Sequence, residues 1–358
     1  MSKLEILEID EEIESEETSY AKTYKLTSFG IDFPVDALVG RYKTKSIYLP
    51  DFQRNYVWKK KQASKFIESL LLGLPVPGIF LYQEDSNKML IIDGFQRINS
   101  LSKYINEKLF NNKKFGLDLS NNEELKNHSY DELDSSSQLK LNNSIIHATI
   151  IKAEDPQQDN YTAIYEIFER LNTGGTKLSP QEVRDCVAHG RFVEKIKELS
   201  SSSDMEIMLP IDKNRKKDEE IVLRLIALSI DFEDYQGNMK QFLNDFIVKN
   251  KDLKNSELEY AVKIFVEMAQ YINSLKIENI IRPSGKFSIS ILDSIWVGLY
   301  KNYKTLKGID HKKVVDGIVS VVSNDKFKKS IETGKTHNKK NVFNRINIAI
   351  NLLSGIER

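Results

Sequence analysis

Hydrophobic residues near the start of the chain alternate between strand spacing and helix spacing. Ile47–Pro50 is predicted to be a short extended stretch, because a proline disfavours helix at the residue before it. Apolar side chains at helical spacing then predict a helix from about Lys60 to Leu72, followed at once by glycine and then proline. Two apolar runs, Gly78–Tyr82 and Met89–Ile92, flank a polar segment and predict a β-hairpin.

The hydrophobic period changes from strand to helix at the polar segment Asp93–Arg97. Beyond it, Ile98, Leu101 and Ile105 recur at helical spacing, so this segment is predicted at a strand-to-helix junction. A helix N-terminus presents unpaired N–H groups and a positive dipole end, which makes such a junction a favoured place for anions. Further along, Ile145–Ala153 has the pattern of a third strand.

A second junction follows, between two helical patterns. Ile164–Leu171 has helical spacing and is interrupted by the turn sequence Asn172–Thr176. Ser179–Glu182 then combines an N-cap serine, a proline at the first helical position and a glutamate at the third. This combination predicts a helix that runs to about Ala188.

Only helical patterns appear after Lys217, so the second lobe is predicted to be all-helical. At 358 residues the chain is long enough for two lobes. Residues 200–216 are rich in serine and charge and are predicted to be a linker between a domain at 23–199 and a helical lobe at 217–358. The five helical patterns of that lobe are Ile221–Ile230, Leu258–Ile272, Ile289–Leu299, Val314–Val322 and Val342–Leu353.

Composition indicates a soluble globular protein. The chain is 40% hydrophobic and 29% charged, and no apolar run approaches the roughly 18 residues of a membrane span. The cytoplasm is the expected location, with no membrane partner. Cys186 is the only cysteine, so neither an intramolecular disulfide nor a thiolate zinc site is expected.

Charge is unevenly distributed between the N-terminus and the rest of the chain. Formal net charge is zero, but residues 1–20 carry eight acidic side chains against one lysine, which leaves an excess of seven positive charges elsewhere. Residues 1–22 are therefore predicted to be an acidic flexible tail. The remaining surplus fits contact with DNA through a patch rather than a dedicated DNA-binding protein.

Three polar clusters interrupt this pattern, and each has a functional and a structural interpretation. The first cluster is Pro50–Trp58, where the aromatic side chains could stack on a base while Gln53 and Arg54 bind a phosphate. In the structural interpretation, Phe52, Tyr56 and Trp58 are core anchors and Arg54 is a surface ion-pair partner.

In the second cluster, Asp93–Arg97, Arg97 could grip phosphate oxygens while Asp93 holds a magnesium-bound water or a sugar hydroxyl. Gly94 lets the backbone approach a ligand closely. The structural interpretation is a capping aspartate followed by solvated Gln96 and Arg97.

The third cluster lies in the turn between the two helical patterns. Asn172, Gly174 and Gly175 could form an anion nest there, or simply separate two helices, because the spacing of a Walker loop is lacking.

No second catalytic pattern emerges from the chain. The five histidines are scattered, and neither His-Glu-x-x-His nor Gly-x-Ser-x-Gly occurs. His337-Asn338 has no second histidine nearby with which to form a nuclease metal site.

Taken together, the three clusters resemble the N-terminal domain family of GmrSD-type modification-dependent restriction enzymes and of related phosphorothioate-dependent defence nucleases. The family boxes Pro-x-Phe-Gln-Arg-x-x-x-Trp, Asp-Gly-Gln-Gln-Arg and Leu-Asn-x-Gly-Gly-x-x-Leu-x-x-x-Glu are similar to three segments that occur here in the same order: Pro50–Trp58, Asp93–Arg97 and Leu171–Glu182. The resemblance runs through Arg224.

The resemblance implies an α+β fold related to ParB and sulfiredoxin, followed here by the helical lobe. It implies hydrolysis of a nucleoside triphosphate with Mg²⁺, with the preferred base open, and antiphage defence in which hydrolysis gates a nuclease. Asp93, Gln96 and Arg97 become the catalytic candidates, with Asp93 also a candidate to reach Mg²⁺ through water. Nucleotide-binding candidates are Gln53, Arg54, Gly94, Phe95, Asn172, Gly174 and Gly175.

Two departures from the family pattern qualify these expectations. Phe95 stands where the family box has its first glutamine, so a hydrogen bond to nucleotide or water is lost and binding without turnover is the alternative. Many relatives continue into a His-Asn-His nuclease domain that has no counterpart here, so a partner chain is expected to cut DNA. Lys213, Arg215, Lys216 and Lys217 could face DNA or that partner, unless they are solvated linker residues. Assembly of identical chains is left open.

Overall fold

The computed structural model describes residues 26–49, 56–84, 86–153, 167, 170, 179–187, 190–211, 216–332 and 336–357. They fall into two compact units, one within Thr23–Leu178 and one within Ser179–Arg358. The predicted domain end at residue 199 lies inside the second unit. The reason is packing, since Phe192 and Ile196 are buried in the hydrophobic core of that unit.

The first unit, called here the sheet unit, is built on a mixed five-stranded sheet with strand order β1-β7-β3-β4-β2. β1 pairs antiparallel with β7, β7 parallel with β3, β3 antiparallel with β4, and β4 parallel with β2. The predicted hairpin of β3 and β4 is confirmed. β5 and β6 form a separate two-stranded sheet. The strands are β1 (Leu26–Pro34), β2 (Ile47–Tyr48), β3 (Ile79–Gln83), β4 (Met89–Asp93), β5 (Leu109–Phe110), β6 (Lys113–Lys114) and β7 (Ile145–Ala153).

Helices of the sheet unit supply the apolar side chains that cover one face of the sheet. The predicted helix at 60–72 has the predicted bounds, and its apolar stripe, including Phe66 and Ile67, is buried with Leu81 and Ile91 of the sheet. The helices are α1 (Val35–Lys43), α2 (Lys60–Leu72), α3 (Phe95–Ser102) and α4 (Ser135–Asn143), with a π-helix at Lys103–Glu107 and a 3-10 helix at Tyr130–Glu132.

The second unit, called here the helical unit, contains helices and no strand among its described residues, which confirms the predicted all-helical lobe. Trp296 is fully buried at its centre. Its helices are α5 (Pro180–Val187), α6 (Arg191–Ser200), α7 (Ser203–Met208), α8 (Lys217–Asp231), α9 (Met239–Asn250), α10 (Ser256–Leu275), α11 (Glu278–Ile281), α12 (Ile289–Leu306), α13 (His311–Ser323), α14 (Asp325–Ser330) and α15 (Lys339–Ser354), with 3-10 helices at Phe232–Asp234 and Pro283–Gly285.

The predicted linker at 200–216 is not an extended connection where the structure describes it. α7 lies within it, and Met205 and Met208 are buried in the core of the helical unit. Two methionines in a short serine-rich stretch gave too weak a periodicity to show this burial. Among the described residues, no helix is long and apolar enough to cross a membrane.

Candidate functional site

Gly94 forms the predicted junction between strand β4 and helix α3. Its φ of 98° is in the left-handed region, and a Cβ there would lie 2.3 Å from Cγ2 of Ile79. Only glycine meets both requirements without strain. The first hydrogen bond of α3 runs from the N–H of Ile98 to the carbonyl oxygen of Gly94, at 3.0 Å. The N–H groups of residues 95–97 therefore precede the intrahelical ladder, and no side chain caps this end of the helix.

Asp93 and Arg97 lie on either side of this helix start and pair with each other. Arg97 Nη2 donates to Asp93 Oδ2 at 2.6 Å, as an i,i+4 pair. The Arg97 side chain is 16% exposed and that of Asp93 is 39% exposed, so the pair opens to solvent on the carboxylate side. Arg97 Nε is buried and meets no acceptor in the described part of the chain. Both charges therefore lie at the predicted junction, where they form an ion pair with each other.

Gln96 connects the first and second sequence clusters. Its Oε1 accepts hydrogen bonds from the backbone N–H groups of Val57 at 3.1 Å and Trp58 at 3.2 Å. Because both partners are donors, the amide oxygen must face them and the Nε2 group points elsewhere. Gln96 thus holds the end of the Pro50–Trp58 segment against α3, and only its Nε2 group is left to act on a ligand.

The aromatic residues of the first cluster are structural where the structure describes them. Tyr56 and Trp58 are half-buried and pack against the core of the sheet unit. The Tyr56 hydroxyl lies 2.8 Å from Ser100 Oγ, and the Ser100 hydroxyl donates to the Gln96 backbone carbonyl at 2.7 Å. The interpretation of Tyr56 and Trp58 as core anchors is confirmed. Phe52, Gln53 and Arg54 lie outside the described residues.

A polar face of α3, which was not predicted from the sequence, continues the second cluster along the helix. Asn99 Nδ2 donates to the Tyr42 hydroxyl at 3.2 Å, and desolvation raises the pKa of Tyr42. Gln96, Asn99 and Ser100 follow one another at i, i+3 and i+4, a spacing that places them on one helix face. That periodicity of polar residues could have revealed the face.

Phe95 opens α3 at the position where the sequence departs from the family box. It is half-buried and packs against the hydrophobic core of the sheet unit, with the rest of the ring exposed. The side chain therefore contributes to packing whatever else it contacts.

The third cluster is described only at its end. Asn172, Gly174 and Gly175 lie outside the described residues. At Ser179 the predicted helix start is confirmed: Ser179 Oγ accepts from the Glu182 N–H at 3.2 Å, and Glu182 Oε2 accepts from the Ser179 N–H at 2.6 Å. This reciprocal capping fixes the N-terminus of α5.

A buried arginine anchors α5 within the helical unit. Arg184 has a side chain only 1% exposed, and it donates to Glu220 Oε2 at 2.7 Å, Asn244 Oδ1 at 2.8 Å and Gln181 Oε1 at 3.1 Å. Its Nη2 also lies 3.5 Å from the Lys240 carbonyl oxygen. All three guanidinium nitrogens thus have protein acceptors, which is typical of a structural arginine.

Lys216 does not face outward as the sequence suggested. Its ammonium contacts the fully buried carboxylate of Asp185 and lies 3.3 Å from Glu219 Oε1. Burial, together with the negative charge of Asp185, raises the pKa of Glu219 to about 7. Lys216 is therefore neutralised by an internal carboxylate pair. Lys213 and Arg215 lie outside the described residues.

No group of three or more His, Cys, Asp or Glu side chains that could hold a metal occurs in the described part of the chain. Magnesium in nucleotide sites is commonly bound through one or two carboxylates, waters and the substrate phosphates. The single, partly exposed carboxylate of Asp93 fits that mode of binding, in which the nucleotide brings the metal.

Residues 35–188 match the family model described as the GmrSD restriction endonuclease, N-terminal domain. This segment belongs to that family. The match contains both the Asp93–Arg97 junction and α5, and a domain of this family indicates a component of a restriction system.

No curated protein and no solved structure matches the chain. The mixed α+β class is confirmed by the sheet and helices, whereas the likeness to ParB and sulfiredoxin stays a prediction.

Proposed function

We propose that this chain is a regulatory nucleoside triphosphatase of a restriction system, with its site at the junction Asp93–Arg97. Hydrolysis there gates a nuclease that a partner chain carries. The observation that supports this proposal is the uncapped, glycine-formed helix start, with N–H groups that precede the helical ladder beside a partly exposed Asp93–Arg97 pair. Membership of residues 35–188 in a restriction-endonuclease family supplies the biological setting.

The charges of the junction complement those of a magnesium nucleotide. In the structure Arg97 Nη2 is paired with Asp93 Oδ2. A bound magnesium triphosphate offers phosphate oxygens to the guanidinium and a hydrated cation to the carboxylate, so one internal ion pair is exchanged for two contacts of opposite sign. The N–H groups of residues 95–97 and the positive end of the α3 dipole add donors for phosphate oxygens.

Hydrolysis at this site requires attack of water on the γ-phosphorus. The bond from the γ-phosphorus to the β,γ-bridging oxygen breaks, the nucleoside diphosphate leaves with that electron pair, and the water proton passes to phosphate or solvent. Arg97 stabilises the charge that develops on the phosphoryl oxygens. Gln96 acts through its Nε2 donor, since its amide oxygen is occupied by Val57 and Trp58.

A second candidate function is a sensor that binds nucleotide or modified DNA without turnover. Phe95 favours it, because a phenyl ring half-buried at the helix start cannot donate or accept a strong hydrogen bond. Both functions place the ligand at the same junction. For a nucleotide they differ in whether the phosphoanhydride bond breaks, and the sensor can also take modified DNA as its ligand.

Phosphate release, measured for ATP, GTP, CTP and UTP with Mg²⁺ and with EDTA, tests the proposal directly. Hydrolysis of at least one nucleotide that requires Mg²⁺ is expected. Calorimetric titration with the same nucleotides runs in parallel. Binding without phosphate release identifies the sensor, and absence of both removes the junction as a nucleotide site. Plasmid DNA incubated with the chain alone is expected to stay intact.

A further inference from the structure

Four lysines lie together at the start of helix α2. Lys59 precedes the helix, Lys60 and Lys61 open it, and Lys65 follows one turn later. Lys59, Lys61 and Lys65 are exposed and Lys60 is half-buried. We propose that these residues, the α2 lysine cluster, bind the phosphodiester backbone of a nucleic acid without reading its sequence.

No described carboxylate neutralises the charges of the α2 lysine cluster. Four other lysines of the sheet unit do have carboxylates within 4 Å, in the pairs Lys103–Glu107, Lys108–Asp131, Lys114–Glu132 and Lys126–Glu123. None of the four cluster lysines has such a partner among the described residues, and the first turn of α2 contains no acidic residue. A concentration of four unpaired positive charges on one helix start attracts a polyanion.

The arrangement of the cluster fits a repeating chain of phosphates better than a single triphosphate. Lys61 and Lys65 are at i and i+4, so they lie on the same face of the helix, about 6 Å apart along its axis. Their side chains leave a convex helix surface and are free to meet separate phosphates, whereas a compact triphosphate is usually held in a concave loop. The positive end of the α2 dipole adds to the attraction for phosphate.

The cluster begins at the residue that follows a contact with the candidate nucleotide site. Val57 and Trp58 donate their N–H groups to Gln96, and Lys59 comes next in the chain. This continuity places the proposed backbone-binding surface beside α3 and within the family-matched segment. By contrast Lys216, which the sequence offered for contact with DNA, is neutralised by Asp185 and Glu219.

Fluorescence anisotropy with a labelled random-sequence DNA duplex tests the proposal, without nucleotide and at several salt concentrations. The test variant is Lys59→Ala/Lys61→Ala/Lys65→Ala in the full chain; these side chains are exposed, so the fold should be retained. The slope of log affinity against log salt is expected to become shallower by about one for each lysine removed. Affinity in low salt is expected to fall at least about tenfold, a loss on the order of 1.4 kcal/mol.

The matched control is Lys108→Ala/Lys114→Ala/Lys126→Ala, which removes the same charge from lysines that carboxylates already neutralise. Its salt slope and affinity should stay near those of the unmodified chain. Equal losses in both variants, or no DNA binding by the unmodified chain, overturn the proposal.

A third arm separates nucleic acid from nucleotide as the source of phosphate. Inorganic triphosphate is titrated into both variants by calorimetry. If the α2 variant loses triphosphate binding and the control does not, the cluster belongs to the nucleotide site and the proposal is wrong. The proposal itself does not depend on hydrolysis, so it stands or falls separately from the triphosphatase activity.

Discussion

Arg97 of the sheet unit and Arg224 of the helical unit are both helical arginines paired with an aspartate, yet their surroundings differ. Arg97 donates to a carboxylate that is 39% exposed. Arg224 donates from Nε at 2.8 Å and Nη2 at 2.6 Å to Oδ2 of Asp293, whose side chain is fully buried. A second buried guanidinium, that of Arg345, lies 3.6 Å from the same oxygen.

The difference separates an arginine that holds a fold from one that is available to a ligand. Removing one partner of a buried ion pair leaves a charge without compensation in a low-dielectric interior, whereas removing a partly exposed partner leaves a charge that water can reach. Removing the guanidinium should therefore strongly destabilise the helical unit at Arg224, and should leave the sheet unit folded but inactive at Arg97.

The largest effect is expected for Arg224→Met. Loss of both Arg224 hydrogen bonds leaves Oδ2 of the buried Asp293 with a poorer set of donors, and stability is expected to fall by about 3 to 5 kcal/mol. Urea unfolding followed by circular dichroism measures the change. Arg191→Met, at an exposed arginine of the same unit, is the control and should change stability by less than about 0.5 kcal/mol. Equal stability of the two variants contradicts a structural role for Arg224.

Arg97→Ala should give the opposite result, with activity lost and stability retained. Turnover of nucleoside triphosphate is expected to fall about 100- to 1000-fold, the usual cost of a lost donor to a developing negative charge. The free energy of unfolding should change by less than about 1 kcal/mol, because the pair with Asp93 is partly exposed. Phosphate release and urea unfolding are measured on one preparation. Arg41→Ala, at an exposed arginine of α1, serves as the control. Wild-type turnover by Arg97→Ala would show that the site has been assigned wrongly.

Local pattern predicted the elements well where periodicity was strong. Helix α2 has the predicted bounds, and the reciprocal capping of Ser179 and Glu182 is present. Strand β1 was missed, although Phe29, Ile31 and Phe33 alternate with other residues as in a strand. It pairs with β7, which is more than 100 residues away in the chain, and the local sequence pattern does not predict which strand will be the partner.

Polar contacts were harder to predict than elements, because a polar side chain has many partners of equal chemistry. Glu220 and Arg224 are at i and i+4, a spacing that favours an ion pair on a helix, but Glu220 accepts from Arg184 and Arg224 pairs with Asp293. Likewise Gln96 was named from the sequence as a catalytic candidate, whereas in the structure its amide oxygen accepts from the backbone N–H groups of Val57 and Trp58. These choices depend on tertiary geometry, which residue spacing does not contain.

The carboxylate pair around Lys216 predicts a pH dependence that is confined to the helical unit. The pKa of Glu219 is raised from 4.5 to about 7 in the folded protein, mainly by burial and then by the charge of Asp185. Between these values the folded state holds more protons than the unfolded state, so this group's contribution to stability declines as pH rises from about 5 to about 7. Glu219→Gln removes that contribution.

Urea unfolding at pH 5 and pH 8 checks this expectation. The free energy of unfolding of Glu219→Gln, minus that of the unmodified chain, should be more positive at pH 8 than at pH 5. Glu233→Gln, at an exposed glutamate that follows α8, should show no such pH-dependent difference. If both variants behave alike, Glu219 does not hold a proton near neutrality in the folded protein.

The smallest expected effect concerns Phe95, a side chain that could both pack in the core and face a ligand. The ring packs against the core of the sheet unit and is partly exposed at the start of α3. If its exposed part faces the nucleotide, Phe95→Gln restores an amide and should raise turnover with little change in binding. A contact of about 1 to 3 kcal/mol made mainly in the transition state corresponds to roughly 5- to 150-fold.

Phe95→Leu is the matched control, because it keeps an apolar side chain at this position and supplies no hydrogen bond. Turnover, nucleotide affinity and melting temperature are measured for both variants. A rate gain in Phe95→Gln alone shows that the amide acts on the reaction. If Phe95 instead mainly fills space under α3, a buried amide without a partner should lower the melting temperature of Phe95→Gln, while Phe95→Leu stays closer to the unmodified chain. A destabilised Phe95→Gln with no gain in rate would place Phe95 with Arg224 among the residues that hold the fold, and would leave Asp93, Gln96 and Arg97 to account for the site.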